Sequence, residues 1–351
     1  MIDKELLLDI TNIPSPSGYE DELIHFIKKY TKHNFKNVKS MIDSGELYLV
    51  RETTLQNSRT ILYDAHIDQV SCRILKITDD GFIIARCFGF NEKDIMGKNV
   101  RIINENGIIE GVITIVPPHL KIKNNTIYID IFVNSLEEAQ RLVEIGDPIY
   151  LYNPSKLIRG NIIGTGLDNH IGVYCLLEFA RKIDNIPNIE HNLIIHLSRK
   201  EEVGGLKYIS MLDDFSKIPK KIDLLFVIDT DIANDVPSLQ LEDQPNSLLG
   251  SGPIITRNLF DDNIVYKYLC KIAKENNIPF QIIMSDGDGG TNLESYTQLS
   301  SLGQFIGIPL RNMHSTVETV SLNDIENTIN LLYISYTQIS YFFETLDKMF
   351  L

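Results

Sequence analysis

The chain has no block of Lys and Arg, no long apolar stretch and no CxxC spacing, and each absence removes a class of function. Its 351 residues carry 33 Lys and Arg against 47 Asp and Glu, a formal net charge of −14. Phosphate backbones and anionic lipids are held by clustered positive charge, so neither nucleic acid nor a membrane surface is an expected partner. No apolar run approaches the ~20 residues that cross a bilayer. The start, Met1-Ile2-Asp3-Lys4-Glu5, has neither a basic segment nor an apolar one behind it, so no secretory signal is expected. The four cysteines (Cys72, Cys87, Cys175, Cys270) are scattered and read as reduced, mostly buried thiols of a cytoplasmic protein rather than a disulfide framework.

What is present is the composition of a globular protein, 43% hydrophobic and 23% charged, in a chain long enough for a large core and two domains. Leu23, Ile24, Phe26 and Ile27 have the spacing of an amphipathic helix after the turn-forming Pro14-Ser15-Pro16-Ser17-Gly18. Strand-like stretches follow at 47–50 and 60–63. From about Val70 to Asn153 short β-branched segments alternate with turns such as Asp79-Asp80-Gly81, the texture of a small β-barrel or sandwich, with one short helix at Leu136–Val143. From Asn161 onward helix and strand alternate: helices at 171–180, 264–274 and 325–339, strands at 192–197, 224–228 and 280–284. That alternation predicts an α/β layer structure into which the β-domain is inserted.

Residues able to bind a metal or move a proton gather just past apolar segments, where an α/β sheet places its active site. His66 and Asp68 follow Thr60-Ile61-Leu62-Tyr63, Asp229 follows Leu224–Ile228, and Glu201 with Glu202 follow Leu193–Leu197. Asp168 lies in Gly166-Leu167-Asp168-Asn169-His170-Ile171-Gly172 and His314 in Arg311-Asn312-Met313-His314-Ser315. Taken singly, each has an ordinary explanation as a helix cap, a turn residue or an exposed acidic pair. Together they supply two histidines and several carboxylates, the donor mix of a two-metal hydrolase. In such a site one carboxylate binds metal while another stays free to take a proton from water.

These motifs resemble, in order and nearly end to end, the tetrahedral (TET-type) metalloaminopeptidases, cytosolic two-zinc enzymes related to glutamyl aminopeptidases and often labelled endoglucanases. The resemblance runs through Ala65-His66-Ile67-Asp68, the Asp168 loop, Glu201-Glu202-Val203-Gly204, Ile228-Asp229-Thr230, Gly250-Ser251-Gly252-Pro253, Gly289-Gly290-Thr291 and Met313-His314-Ser315-Thr316-Val317-Glu318. In the inserted region it includes Gly107–Val112, Pro117-Pro118-His119-Leu120 and Ile145-Gly146-Asp147. The chain departs from the family pattern at Gln69, at His170 where arginine is usual, at Asn292 where aspartate is usual, and at Gly204-Gly205-Leu206-Lys207. His170 is expected beside the ligands or on a helix surface rather than among the ligands.

The resemblance implies a zinc-peptidase-like α/β/α sandwich with an inserted small, PDZ-like β-barrel. The catalytic domain would be residues 1–67 and 158–351, and the dimerisation or oligomerisation barrel 68–157. One metal would be held by His66, Asp168 and Asp229 and the other by Asp168, Glu202 and His314. Glu201 would be the general base, Asp68 would orient His66, and the Asp168–Asn169 peptide would be cis. Two divalent ions per subunit are implied, zinc first, with cobalt or manganese as alternatives. The substrates would be short peptides with a free N-terminus, and the assembly a hollow homo-oligomer, typically of twelve subunits. A related deacylase or amidase on the same metal site, and a non-catalytic scaffold, are the competing readings.

Overall fold

The computed structural model describes residues 2–115, 126–204, 221–237, 247–284, 291–296, 300 and 302–349. Two helices open the chain. Asp3 caps α1 (Lys4–Asn12) by accepting the Leu6 N–H at 3.1 Å, satisfying a donor that has no partner within the helix. Helix α2 (Asp21–Asn34) buries Leu23, Ile24 and Ile27, as the spacing predicts. A hairpin of β1 (Lys39–Asp43) and β2 (Glu46–Arg51) precedes β3 (Thr60–His66), which is buried throughout.

The inserted segment closes into a six-stranded antiparallel barrel. It comprises β4 (Ser71–Ile77), β5 (Ile83–Phe88), β6 (Asn99–Asn104), β7 (Gly107–Ile113), β8 (Ile127–Asp130) and, after the short helix α3 (Leu136–Gln140), β9 (Pro148–Leu151). Strand β9 returns to pair with β4, so no edge is left open. Its core of isoleucine, valine and leucine is separate from that of the sheet. Cys72 and Cys87 correct the sequence reading. They are 15 residues apart, but the β4–β5 register sets them face to face and they form a disulfide, while Cys175 and Cys270 are free and buried. Pro117-Pro118-His119-Leu120 lies outside the described residues.

The chain then returns through β10 (Lys156–Ile158), β11 (Asn161–Gly164), α4 (Leu167–Asp184), β12 (Asn192–Ser198), β13 (Leu224–Ile232), β14 (Ile254–Thr256), α5 (Asn263–Glu275) and β15 (Gln281–Ile283). It ends with α6 (Leu293–Tyr296), β16 (Gly303–Leu310), β17 (Glu318–Ser321), α7 (Leu322–Thr337) and α8 (Ile339–Met349). Eight strands form one mixed sheet in the order β1-β2-β12-β3-β13-β16-β14-β15, parallel across β12, β3, β13 and β16. Strands β10, β11 and β17 form a small second sheet.

Side-chain alternation along the parallel strands explains the position of the site. Tyr63, Ala65, Leu193, Ile195, Phe226, Ile228, Ile306 and Ile308 face the helices and build the main core. Leu62, Ile194, Leu225, Val227 and Phe305 face the other way, under α6. By the same alternation Asp64, His66, His196, Ser198 and Asp229 continue that second face. Apolar cover therefore gives way to buried polar groups at the carboxyl ends of β3, β12 and β13. Among the described residues, no helix is long and apolar enough to cross a membrane.

Asp184, at the end of α4, accepts backbone N–H groups from Lys36, Asn37 and Val38 at 2.6–3.1 Å, fixing the entry to β1. Burial alone would raise its carboxyl, but these donors hold it below the usual carboxylate range. Asp184→Ala should lower the unfolding free energy by about 2 kcal/mol, checked by denaturant melts. Because the folded pKa is depressed, the difference between wild type and variant should be full above the ordinary aspartate pKa of about 4 and shrink as the pH falls through the folded value.

Candidate metal centre

Seven residues singled out in the sequence meet at one place. His66 Nε2 lies 3.4 Å from Asp168 Oδ1 and 3.3 Å from Asp229 Oδ1. His314 Nε2 lies 3.4 Å from Asp168 Oδ2 and 3.5 Å from Glu202 Oε2. Asp168 thus presents one oxygen to each histidine. Donor atoms of His66, Asp168 and Glu202 fall within 4.8 Å of one another. A tetrahedral ion with bonds of about 2.0–2.1 Å separates its donors by about 3.3–3.4 Å, which is the spacing here. Glu202 Oε1 is buried with no hydrogen-bond partner, an acceptor aimed at nothing in the protein. The donors fit divalent cations.

Local backbone geometry puts these groups in place. Glu201 and Glu202 are not on a strand but in a single 3₁₀ turn, Glu201–Val203, flanked by Lys200 at φ 63° and Gly204 at φ 70°. The turn lets adjacent carboxylates reach one site, which a strand would forbid. Asp68 holds the turn down: its carboxylate accepts the N–H of Glu201 at 2.9 Å and of Glu202 at 3.3 Å, and the Ser17 hydroxyl at 2.6 Å. His66 Nδ1 is 3.0 Å from the Asp68 carbonyl and 3.5 Å from its carboxylate. An Nδ1–H donating to that carbonyl leaves Nε2 as the lone pair facing the cluster. The Asp68 side chain is therefore placed to position the glutamates, while its backbone orients the histidine.

The Asp168–Asn169 peptide is cis, as the resemblance implies. Asn169 donates to the Ile228 carbonyl at 2.8 Å and accepts from Gly172 N at 3.0 Å, and any side chain at position 172 would overlap the Asn169 amide. This ties the aspartate loop to β13 and so fixes Asp168 against Asp229.

Charge is crowded here. Burial, reinforced by Asp229, Glu202 and Asp68, pushes Glu201 up to about 9, and burial pushes Asp229 up to about 6. Burial would lower His314, but its bonds to Asp168 and Glu202 push it up to about 11. The anionic donors outnumber the two imidazoles, the electrostatic condition a cation relieves.

Three departures from the family pattern turn out to be buried packing residues. His170, fully buried, has Nε2 2.7 Å from the Ser15 hydroxyl and Nδ1 3.3 Å from the Gln69 amide, so its ring is engaged away from the donors. Gln69 also accepts from Ser15 N at 3.0 Å and donates to the Gly166 carbonyl at 3.2 Å. Gly166, at φ 72°, leaves the space that the Gln69 side chain fills. Asn292 donates to Asp64 at 2.8 Å and to Ser198 at 3.0 Å, in a network that Tyr296 joins at 2.7 Å. Beside the buried Asp64, an amide donor is satisfied where a second carboxylate would be repelled. Gly205-Leu206-Lys207 and Gly289-Gly290 lie outside the described residues.

Sequence reasoning assigned no role to Glu318 or Ser17. Glu318 is fully buried and accepts three N–H groups: Leu167 at 2.7 Å, Asp168 at 3.3 Å and His314 at 2.9 Å. It ties the loops that carry Asp168 and His314 to one another. Its place four residues after His314 was the available signal.

The chain is similar to known proteins over most of its length. The family model for M42 glutamyl aminopeptidases matches residues 45–331. A lysyl aminopeptidase of Pyrococcus furiosus is 26% identical, over 94% of this chain and 96% of its own. Among solved structures, an aminopeptidase from the archaeon Desulfurococcus kamchatkensis superposes with a TM-score of 0.84 at 26% identity, covering 95% of this chain and 94% of that one. The TET1 peptidase of Pyrococcus horikoshii, described as assembling into a tetrahedron or a large octahedral shell, gives a TM-score of 0.82 at 26% identity, covering 95% and 99%.

Glu318→Gln turns one of the accepting oxygens into a donor facing other donors. It should weaken zinc affinity roughly 10- to 100-fold in competition with a chelator, as loss of a group orienting metal ligands does. Unchanged affinity would remove Glu318 from the assembly of the site.

Proposed function

The chain belongs to the M42 glutamyl aminopeptidase family, in its TET type, and on that premise we propose that it is a two-metal aminopeptidase that removes N-terminal residues from short peptides. The observation that carries this reading is the pair of donor triads sharing Asp168, with Glu201 held beside them by the Asp68 clamp.

His66, Asp168 and Asp229 would hold one divalent ion, and Asp168, Glu202 and His314 a second, with zinc preferred and cobalt or manganese as alternatives. When bound, such ions supply Lewis acidity, which polarises a scissile carbonyl and acidifies water. The protein supplies the proton traffic. Glu201 accepts the proton of the attacking water and delivers it to the leaving amine. Its turn is fixed through backbone N–H groups by Asp68, so the carboxylate is aimed without being tied to a counter-ion.

Residues 1–67 with 158–351 form the catalytic domain in this reading, and 68–157 an inserted dimerisation or oligomerisation domain. The separate core of the barrel supports the division. The assemblies of the TET1 relatives, a dodecamer in one solved structure and a tetrahedron or octahedral shell in another, support a homo-oligomer, which in this reading is a dodecamer acting in the cytoplasm. The deacylase alternative gains nothing from His170, Gln69 and Asn292, since all three are buried and bonded within the protein. The complete donor set argues against a scaffold.

Glu201→Gln should bind about two metal equivalents by elemental analysis yet lose roughly 10²–10⁴-fold in turnover on aminoacyl chromogenic substrates. Retained turnover would sink the assignment. Zinc, cobalt or manganese added to chelator-treated protein should raise the melting temperature and restore hydrolysis. N-acylated substrates should stay intact; their cleavage would favour the deacylase.

A further inference from the structure

We propose that a cavity beside the metal centre is a subsite for a substrate carboxylate, holding the part of the peptide beyond the scissile bond. This rests on the aminopeptidase reading above. The cavity, about 500 Å³ of open space, is lined by Ser17, Ser71, Arg73, Phe88, Lys200 and Val203. It borders the proposed machinery on several sides. Ser17 bonds to Asp68, Lys200 precedes Glu201, Val203 follows Glu202, and Gly89, next to Phe88, has its Cβ direction 3.6 Å from His314 Nδ1.

Among the described residues, the positive charge in this cavity has no ion-pair partner. Glu20, the neighbouring buried carboxylate, is already used: Oε2 accepts from Arg199 at 2.9 and 2.5 Å, and Oε1 accepts from Gly18 N at 2.7 Å. Asp147 is likewise committed, to Asn104 at 2.7 Å and Glu144 N at 2.9 Å. Arg73 Nη2 donates to the Ser17 carbonyl, its guanidinium lies 5.0 Å over the Tyr19 ring, and Nη1 is buried with no hydrogen-bond partner. Among the described residues, neither Arg73 nor Lys200 forms an ion pair. In a chain of net charge −14, two unpaired cations beside an acidic centre form a site selective for an anion. Guanidinium matches a carboxylate in geometry.

The anion every short peptide carries is its C-terminal carboxylate. In a di- or tripeptide it lies within about 7–10 Å of the first peptide bond at about 3.5 Å per residue, which is the scale of a neighbouring subsite. An acidic side chain after the scissile bond presents the same chemistry.

The two sources separate in one assay. The metal-loaded protein is given tri-alanine, tri-alanine amide, and an amidated tripeptide with glutamate at its second position. In the wild type, tri-alanine should have a lower KM than its amide. Arg73→Gln and Lys200→Gln should each shrink that KM ratio roughly tenfold, the size of one charge-assisted contact. If the advantage and its loss fall on the glutamate peptide instead, the carboxylate subsite stands with the side chain as its ligand. A ratio unchanged in both variants overturns the proposal. Lys200 is exposed, so Lys200→Gln decides the matter if Arg73→Gln fails to fold. Calorimetric titration of metal-free protein with di-glycine and its amide gives a second readout, and equal binding of the two overturns the subsite. A wild type that cleaves none of the peptides defeats the aminopeptidase reading itself; one that cleaves all three with no carboxylate preference defeats only the subsite.

Discussion

Burying several carboxylates at one end of a parallel sheet is the constraint on which the rest of this structure depends. Asp168, Asp229 and Glu202 approach two imidazoles at 3.3–3.5 Å, and Glu201 stands beside them in a largely buried pocket. Unpaired, such groups would cost several kcal/mol each and would not stay together without other support. The segments that carry the cluster are held in place by a second tier of carboxylates that accept their backbone N–H groups. Asp68 grips the Glu201–Glu202 turn, and Glu318 grips the amides of Leu167, Asp168 and His314. The donors are thereby pre-organised for cations, while a carboxylate free of any protein counter-ion remains to move a proton.

The same logic reaches outward through hydrogen bonds. Ser17 fixes Asp68, Asn169 ties the aspartate loop to β13, and Ser15, Gln69 and His170 pack the first loop against α4. Gln69, His170 and Asn292 are buried polar groups, each with hydrogen-bond partners inside the protein. Asn292 beside Asp64 shows the principle: an amide supplies the donor a buried carboxylate needs. These positions tune the support of the site, and the cavity containing Arg73 and Lys200 is where substrate chemistry is read.

The barrel contributes to the site without contributing a ligand. Strands β4 and β5 bring Ser71, Arg73 and Phe88 to the rim of the cavity, opposite Lys200 and Val203 from the sheet. The two cations of the cavity thus come from different parts of the fold, Arg73 from the barrel and Lys200 from the turn that carries the glutamates.

By itself the sequence determined the layers and the donors. Period-two and helical patterns marked α2, α4, α5, α7, the strands β3, β12 and β13 and the barrel, but not β16, because burial on one face leaves a periodic record in the chain only where the pattern is kept. His66 and Asp229 were legible because they interrupt apolar strands at their carboxyl ends, and ordered motifs joined Asp168, Glu201, Glu202 and His314 to them. Tertiary structure alone decided the rest. The pairing of Cys72 with Cys87 depends on hairpin register, which chain spacing conceals. The roles of Glu318 and of the Asp68 side chain depend on which backbone N–H groups the fold delivers to them. That Arg73 and Lys200 form no ion pair among the described residues is equally invisible in the chain, since Glu20, the buried carboxylate near them in space, is taken by Arg199, 179 residues along. Periodicity is a local property of the chain, whereas register, orphaned donors and charge pairing exist only once distant segments meet.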